Sequence, residues 1–176
     1  MKHRTKTTKF VFSILLLFLA SHSAADTENN FLSFAVGHAA VFDLDKIENP
    51  TIYKLEYRAK PIKSWWGLAP GLGHSRSEDG SNFSFLYLEK DFNVINHWFA
   101  SINFGPGFFS DSDEIILGNA LEFRSGLRLG YEFNNGSRLA LELFHLSNGG
   151  ISEINPGTEP AFISWTMPLN GFSKLR

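Results

Sequence analysis

The chain has 176 residues, 43% of them hydrophobic and 15% aromatic, with a formal charge of -2 and no cysteine. That length supports one domain with a core of its own and gives no sign of a second. The lack of cysteine excludes a disulfide framework and a thiolate metal site.

At the start, Lys2, Arg4, Lys6 and Lys9 precede the apolar run FVFSILLLFLA and the small residues Ser23, Ala24 and Ala25. This is the pattern of a secretory signal peptide cleaved after Ala25. The apolar run falls short of the ~20 residues a helix needs to cross a bilayer, so an anchor fits less well. Residues 1–25 are therefore read as a signal peptide and 26–176 as the exported domain. Without the first 25 residues the chain has 12 Lys and Arg against 18 Asp and Glu, a formal charge of -6. No basic stripe for nucleic acid survives.

After Asp26 no helical period is sustained, and two-residue alternation recurs instead. The expected strands are Phe31 to Asp43, Thr51 to Pro61, Trp65 to His74, Asn82 to Phe92, His97 to Phe109, Asn119 to Phe133, Arg138 to Asn148, and Glu159 to Leu169. In the sixth, Leu121, Phe123, Leu127, Leu129, Tyr131 and Phe133 share one face. Glu122, Arg124, Arg128 and Glu132 share the other with Ala120, Gly126 and Gly130. The second strand opposes Tyr53, Leu55 and Tyr57 to Lys54, Glu56, Arg58 and Lys60 in the same way.

Charges facing glycines fit a narrow lumen better than the wet side of a sandwich. The reading is an all-β, eight-stranded antiparallel transmembrane β-barrel of the outer membrane, apolar outside and polar inside, its charges pairing across the lumen. An even count closes without edges. Connections are expected to alternate between long (45–50, 75–81, 110–118, 149–158) and short (62–64, 94–96, 134–136), with the long ones external. Trp65, Trp66, Trp98, Tyr131 and Phe133 then gather near the short turns as an aromatic girdle. Eight strands leave room only for side chains, so no conducting pore is expected.

In the seventh strand Leu139, Leu141 and Leu143 face outward, and period two sends His145 and Ser147 the same way. The last strand places Glu159 outward with Ala161, Ile163, Trp165, Met167 and Leu169. Polar groups facing hydrocarbon are costly unless paired. A base, a hydroxyl and an acid on one rim supply the members of a nucleophilic triad; without that chemistry they would be rim residues meeting headgroups and water.

His145-x-Ser147-Asn148, the following Gly150, then Asn155 and Glu159 with an aromatic, alternating closing strand, resemble the outer-membrane lipid A 3-O-deacylases. The resemblance implies a serine esterase that removes the ester-linked 3-hydroxyacyl chain at position 3 of lipid A in the outer leaflet. It implies Ser147 as nucleophile, His145 as general base and then acid, and Glu159 as the orienting carboxylate. Asn155 and the Gly150 N–H would form the oxyanion hole, with Asn148 supporting. It implies no metal or other cofactor. The partners are lipid A (lipopolysaccharide) and the outer membrane of a Gram-negative cell, no nucleic acid, with a homodimer left open. Pro156 and Pro160 bracket the acid and bear on where Glu159 reaches.

The acidic run Ser110 to Glu114 lacks the glycine and spacing of a calcium loop and reads as a solvated turn. His38 and His74 read as rim or interior residues, and His97 lies beside a periplasmic turn. Two other functions remain: a non-catalytic small barrel in adhesion or envelope structure, and an esterase or acyltransferase of the same wall geometry acting on phospholipid.

Overall fold

The computed structural model describes residues 29–39, 49–113 and 115–169. The expected signal peptide, residues 1–25, and the segment beyond Leu169 lie outside those residues. Eight strands form: β1 (Phe31–His38), β2 (Thr51–Arg58), β3 (Ala69–Ser77), β4 (Asn82–Ile95), β5 (Trp98–Ser110), β6 (Leu121–Glu132), β7 (Arg138–Ser147) and β8 (Ala161–Pro168). Each pairs antiparallel with its sequence neighbours, and β1 pairs with β8, so the sheet closes into a barrel. The expected architecture is the observed one.

β4 runs on to Ile95, three residues past its expected end, and β3 departs most from its expected span. β3 begins at Ala69 rather than Trp65 and runs on to Ser77, past His74. Residues Lys63–Trp65 make one turn of 3-10 helix, Trp66 and Gly67 take φ of 54° and 74°, and Ile62 bridges Leu68. The left-handed pair folds the chain back on itself before pairing with β2 resumes. The expected short turn at 62–64 is thus a compact connection over 59–68. The expected long loop at 75–81 is reduced to 78–81, where the Ser81 N–H caps on Asp79 Oδ1 at 3.2 Å and the Ser77 N–H reaches the Ser81 carbonyl at 3.0 Å. The strict alternation of connection lengths therefore fails at two successive connections, 59–68 being long where a short turn is expected and 78–81 short where a long loop is expected.

Period two holds along every wall. Leu72, Leu86, Phe104, Leu141 and Ile163 point outward and are each more than half exposed. A water-soluble surface rarely carries so continuous an apolar band, whereas hydrocarbon requires one. At the rim of the short turns 96–97 and 133–137, Trp98, Tyr131, Phe133 and Trp165 pack edge-on or tilted in sequence with centroids 5.6, 5.2 and 5.5 Å apart. Trp66 on the same rim is 85% exposed. This is the expected girdle.

Inside, buried charges pair across the lumen. Arg128 meets Glu56, Glu89 and Glu142; Arg58 and Arg138 converge on Asp91 Oδ2, each at 2.8 Å; Arg124 reaches Glu56 at 2.7 Å. Lys54 bonds Glu142 and lies over the Phe144 and Phe162 rings. Every one of these charges has lost its water, so the reciprocal pairing is what makes their burial tolerable. Two lumen cavities lined by these charges and their aromatic neighbours hold only about 30 and 20 Å³. Among the described residues the lumen is filled, as the strand count led one to expect.

The ladder also fixes the barrel's climb. The row starting at Leu139 passes through Trp165, Phe34, Leu55, His74, Ser84, Phe108 and Leu121. Continuing the Phe123–Ser147 register by two residues brings it back to β7 at Gly149, ten residues above its start (149 minus 139). Strand tilt and this stagger are tied together by closure.

Candidate active site

The β7–β8 seam supplies the first two members of the site. Leu143 pairs with Ala161, and beyond that point β8 is no longer a regular strand. The register nonetheless continues: the Phe144 N–H reaches the Pro160 carbonyl at 3.0 Å, and Leu146 and Thr158 exchange bonds of 2.9 and 3.1 Å. His145 therefore stands directly opposite Glu159 at a position without ladder bonds, where facing side chains come closest. His145 Nδ1 lies 3.0 Å from Glu159 Oε1. An ionised carboxylate only accepts, so Nδ1 carries the proton and Nε2 is left as a base. The side chains are 52% and 37% exposed, both on the outer wall. Pro160 removes only the one ladder bond its missing N–H would make.

Ser147 is the last residue of β7, on the same face as His145, with Cα atoms roughly 6.5 to 7 Å apart by strand geometry. It pairs with Phe123 of β6 and is half-buried. Among the described residues Ser147 Oγ makes no hydrogen bond, so it is not joined to His145 here. Unliganded sites often hold such pairs apart until substrate arrives.

Asn148 is completely buried and binds the loop 148–160 together. Its Nδ2 donates to the Ile154 carbonyl at 2.8 Å and to Ser152 Oγ at 2.9 Å, and its Oδ1 accepts the Gly150 N–H at 3.0 Å. A longer bond of 3.4 Å reaches the Leu117 carbonyl in the neighbouring loop. Asn155 Oδ1 accepts the Asn148 N–H at 3.0 Å, which turns its Nδ2 away from the backbone. The two residues named for the oxyanion thus differ: Asn155 has an exposed amide with Nδ2 unengaged, whereas the Gly150 N–H is already engaged by Asn148.

Gly157 is a site residue the sequence reading passed over. It has φ of 69°, and a Cβ there would lie 3.1 Å from both His145 Cε1 and the Leu146 carbonyl oxygen. Only glycine lets the loop close over the edge of the imidazole. The Pro156-Gly157 pair is a turn signal that could have been weighed for this. Thr158 was also missed; its buried hydroxyl donates to the Ala39 carbonyl at 3.0 Å and fastens the loop to the end of β1.

The remaining candidates separate. His38 Nδ1 lies 3.2 Å from the Asn49 carbonyl oxygen, and the His97 ring packs on Tyr131 with centroids 5.4 Å apart. In the acidic run Asp111 Oδ1 accepts the Leu117 N–H and Ser112 Oγ the Ile115 N–H, each at 3.0 Å, which is turn geometry. Of the two alternatives for His74, rim and interior, its outward, exposed position beside Ser84 excludes the interior one.

The chain superposes on the crystal structure of the outer membrane enzyme PagL with a TM-score of 0.64 and 22% identity, over 79% of this chain and 99% of that one. It superposes on a de novo designed transmembrane β-barrel with a TM-score of 0.56 and 14% identity, over 84% of this chain and 100% of the design. At such identities the likeness is one of fold. No curated protein sequence matches the chain. The family described as lipid A 3-O-deacylase (PagL) matches residues 51–168, which span β2 to β8 and include His145, Ser147 and Glu159. The chain therefore belongs to the lipid A 3-O-deacylase family, a family of outer-membrane β-barrel hydrolases.

Proposed function

We propose that this barrel is a serine esterase of the outer leaflet that hydrolyses the 3-hydroxyacyl ester at position 3 of lipid A. Ser147 is the nucleophile, His145 the base and Glu159 the residue that orients it. The observation that carries this reading is the 3.0 Å bond from His145 Nδ1 to Glu159, which leaves Nε2 as the ring nitrogen able to take a proton from a serine hydroxyl.

The steps follow from those roles. As Ser147 Oγ forms a bond to the ester carbonyl carbon, its proton passes to His145 Nε2, and the imidazolium is stabilised by Glu159. The tetrahedral oxyanion is met by Asn155 Nδ2. It is also met by the Gly150 N–H once that group exchanges Asn148 Oδ1 for the substrate oxygen. Collapse breaks the ester C–O bond, and His145 protonates the departing sugar oxygen. Water then attacks the acyl-serine by the same route, releasing a 3-hydroxy fatty acid and restoring Ser147. Each preorganised donor at an oxyanion commonly contributes about 10² to 10³ in rate.

The outward face suits the substrate, since a lipid approaches laterally along the apolar wall and not through a filled lumen. The loop rim then faces the cell exterior. Mass spectrometry of lipid A from Gram-negative cells expressing the wild type or Ser147→Ala tests this. Loss of the 3-position chain only with the wild type is expected. Retention in both, with the barrel folded in the outer membrane, would sink the proposal, and a mass gain would indicate acyl transfer instead.

A further inference from the structure

A second group of polar side chains faces outward on the wall opposite the candidate active site. On β3, His74 and Arg76 alternate with buried Gly73 and Ser77 and are exposed. His74 pairs with Ser84 of β4, and Nδ1 and Oγ are 2.8 Å apart. Arg76 pairs with Tyr53 of β2 and makes a long 3.4 Å bond to Asn82 Oδ1. Tyr53 OH donates to Glu78 Oε1 at 3.4 Å, yet Glu78 forms no ion pair with Arg76. Among the described residues Arg76 has no carboxylate partner, whereas the buried arginines 58, 124, 128 and 138 all have one.

Barrel closure places this group in height. His74 lies four strands along the row that climbs ten residues in eight strands, so it stands about five residues above Leu139, level with Phe144 and His145. Half the strands also means half the circumference. His74 and His145 therefore sit at one depth on opposite walls, and Arg76 is level with the loop end of β7.

Below Arg76 and His74 a groove of about 630 Å³ runs obliquely down the outer wall between two ladder rows. Phe34, Leu55 and Trp165 form one side and Val36, Tyr53 and Ile163 the other, with Ala35 in the floor. An unpaired guanidinium with hydroxyl and imidazole donors above an apolar channel is complementary to a phosphate above an acyl chain. A guanidinium left at the hydrocarbon boundary without such an anion would be unfavourable.

We propose that His74, Arg76 and Ser84, with Tyr53 once its O–H turns from Glu78, and with the groove beneath them, hold one lipid A molecule by its phosphate and one acyl chain, as a bound lipid that does not react. The choice of lipid A over a glycerophospholipid rests on the functional reading above, which puts the loop rim in the outer leaflet at the depth where His145 meets lipid A. The lipid is not a substrate here because His74 has no carboxylate to orient it among the described residues, although Ser84 is within hydrogen-bonding distance. Its role is to fill the wall opposite the reacting lipid and to fix the barrel's depth.

The test is native mass spectrometry of the full-length Ser147→Ala protein in detergent micelles, titrated with bisphosphorylated lipid A, phosphate-free lipid A or phosphatidylglycerol. Using the inactive variant separates this measurement from deacylation, so failure of either reading is recognised on its own. Two bound bisphosphorylated lipids are expected. Adding Arg76→Gln should weaken one of the two by about ten-fold, the worth of one charged hydrogen bond. Tyr53→Phe should weaken the same lipid less, and serves if Arg76→Gln fails to fold. Unchanged binding in both variants, or equal binding of phosphate-free lipid A, overturns the site. Phosphatidylglycerol binding as tightly overturns lipid A as its occupant.

Discussion

Glu159 faces His145 across the β7–β8 seam in unbroken register, although the regular part of β8 ends at Ala161 and Pro160 stands between them. The backbone accounts for this. Bonds on either side, Phe144 to Pro160 and Leu146 to Thr158, hold the intervening pair at the ladder position where side chains are nearest. Replacing the carboxylate by an amide should leave the fold alone and remove the charge that fixes the imidazole tautomer, since the amide NH2 can donate to Nδ1 and turn the ring to the unproductive form. For Glu159→Gln, lipid A deacylation should fall by about 10² to 10⁴. Heat-modifiable migration on a gel would check that the barrel is intact, and wild-type activity would remove Glu159 from the mechanism.

Gly157→Ala should act on the same imidazole without touching it chemically. The added Cβ would lie 3.1 Å from His145 Cε1, and the φ of 69° disfavours any side chain by about 1 kcal/mol. Activity is expected to drop at least a hundred-fold while the unfolding midpoint in urea falls only by what the backbone cost of about 1 kcal/mol predicts. A stability loss as large as the activity loss would make the residue merely structural.

Asn148→Ala removes a buried amide that fastens four points of two loops. The Gly150 N–H then loses its partner and the Ile154 carbonyl keeps only Ser152 Oγ, at about 1 kcal/mol for each bond removed. Loosening of 148–160 should appear as faster proteolysis within that loop while the strands stay protected. No change in cleavage would mean that the Ser152 and Thr158 bonds suffice.

Arg128→Met tests the lumen. It would take one partner from each of Glu56, Glu89 and Glu142, buried carboxylates that then rely on Arg124 and Lys54, on Arg58, and on Lys54 respectively. Breaking a buried charge cluster from one side costs about 3 to 5 kcal/mol. The urea midpoint of the detergent-folded barrel should fall clearly. An equal or higher midpoint would show that the apolar replacement compensates for the lost pairs.

The chain's order alone determined the strands and which residues share a face, because period two is a local property of the backbone: Leu139, Leu141, Leu143, His145 and Ser147 lie together whatever the rest of the molecule does. The same parity put His145, Ser147 and Glu159 on the outer wall and the charges of β2 and β6 in the lumen. Turn geometry was less legible. Trp66 adopts a left-handed conformation that its residue type does not announce, so β3 was placed four residues too early.

Closure could not be read from any local pattern. Which interior charges meet, that His74 stands level with His145 across the barrel, and that Gly157 lies over the imidazole all depend on register summed around eight strands. A one-residue slip anywhere in that circuit would exchange inner and outer faces, so these relationships exist only once the last strand has paired with the first.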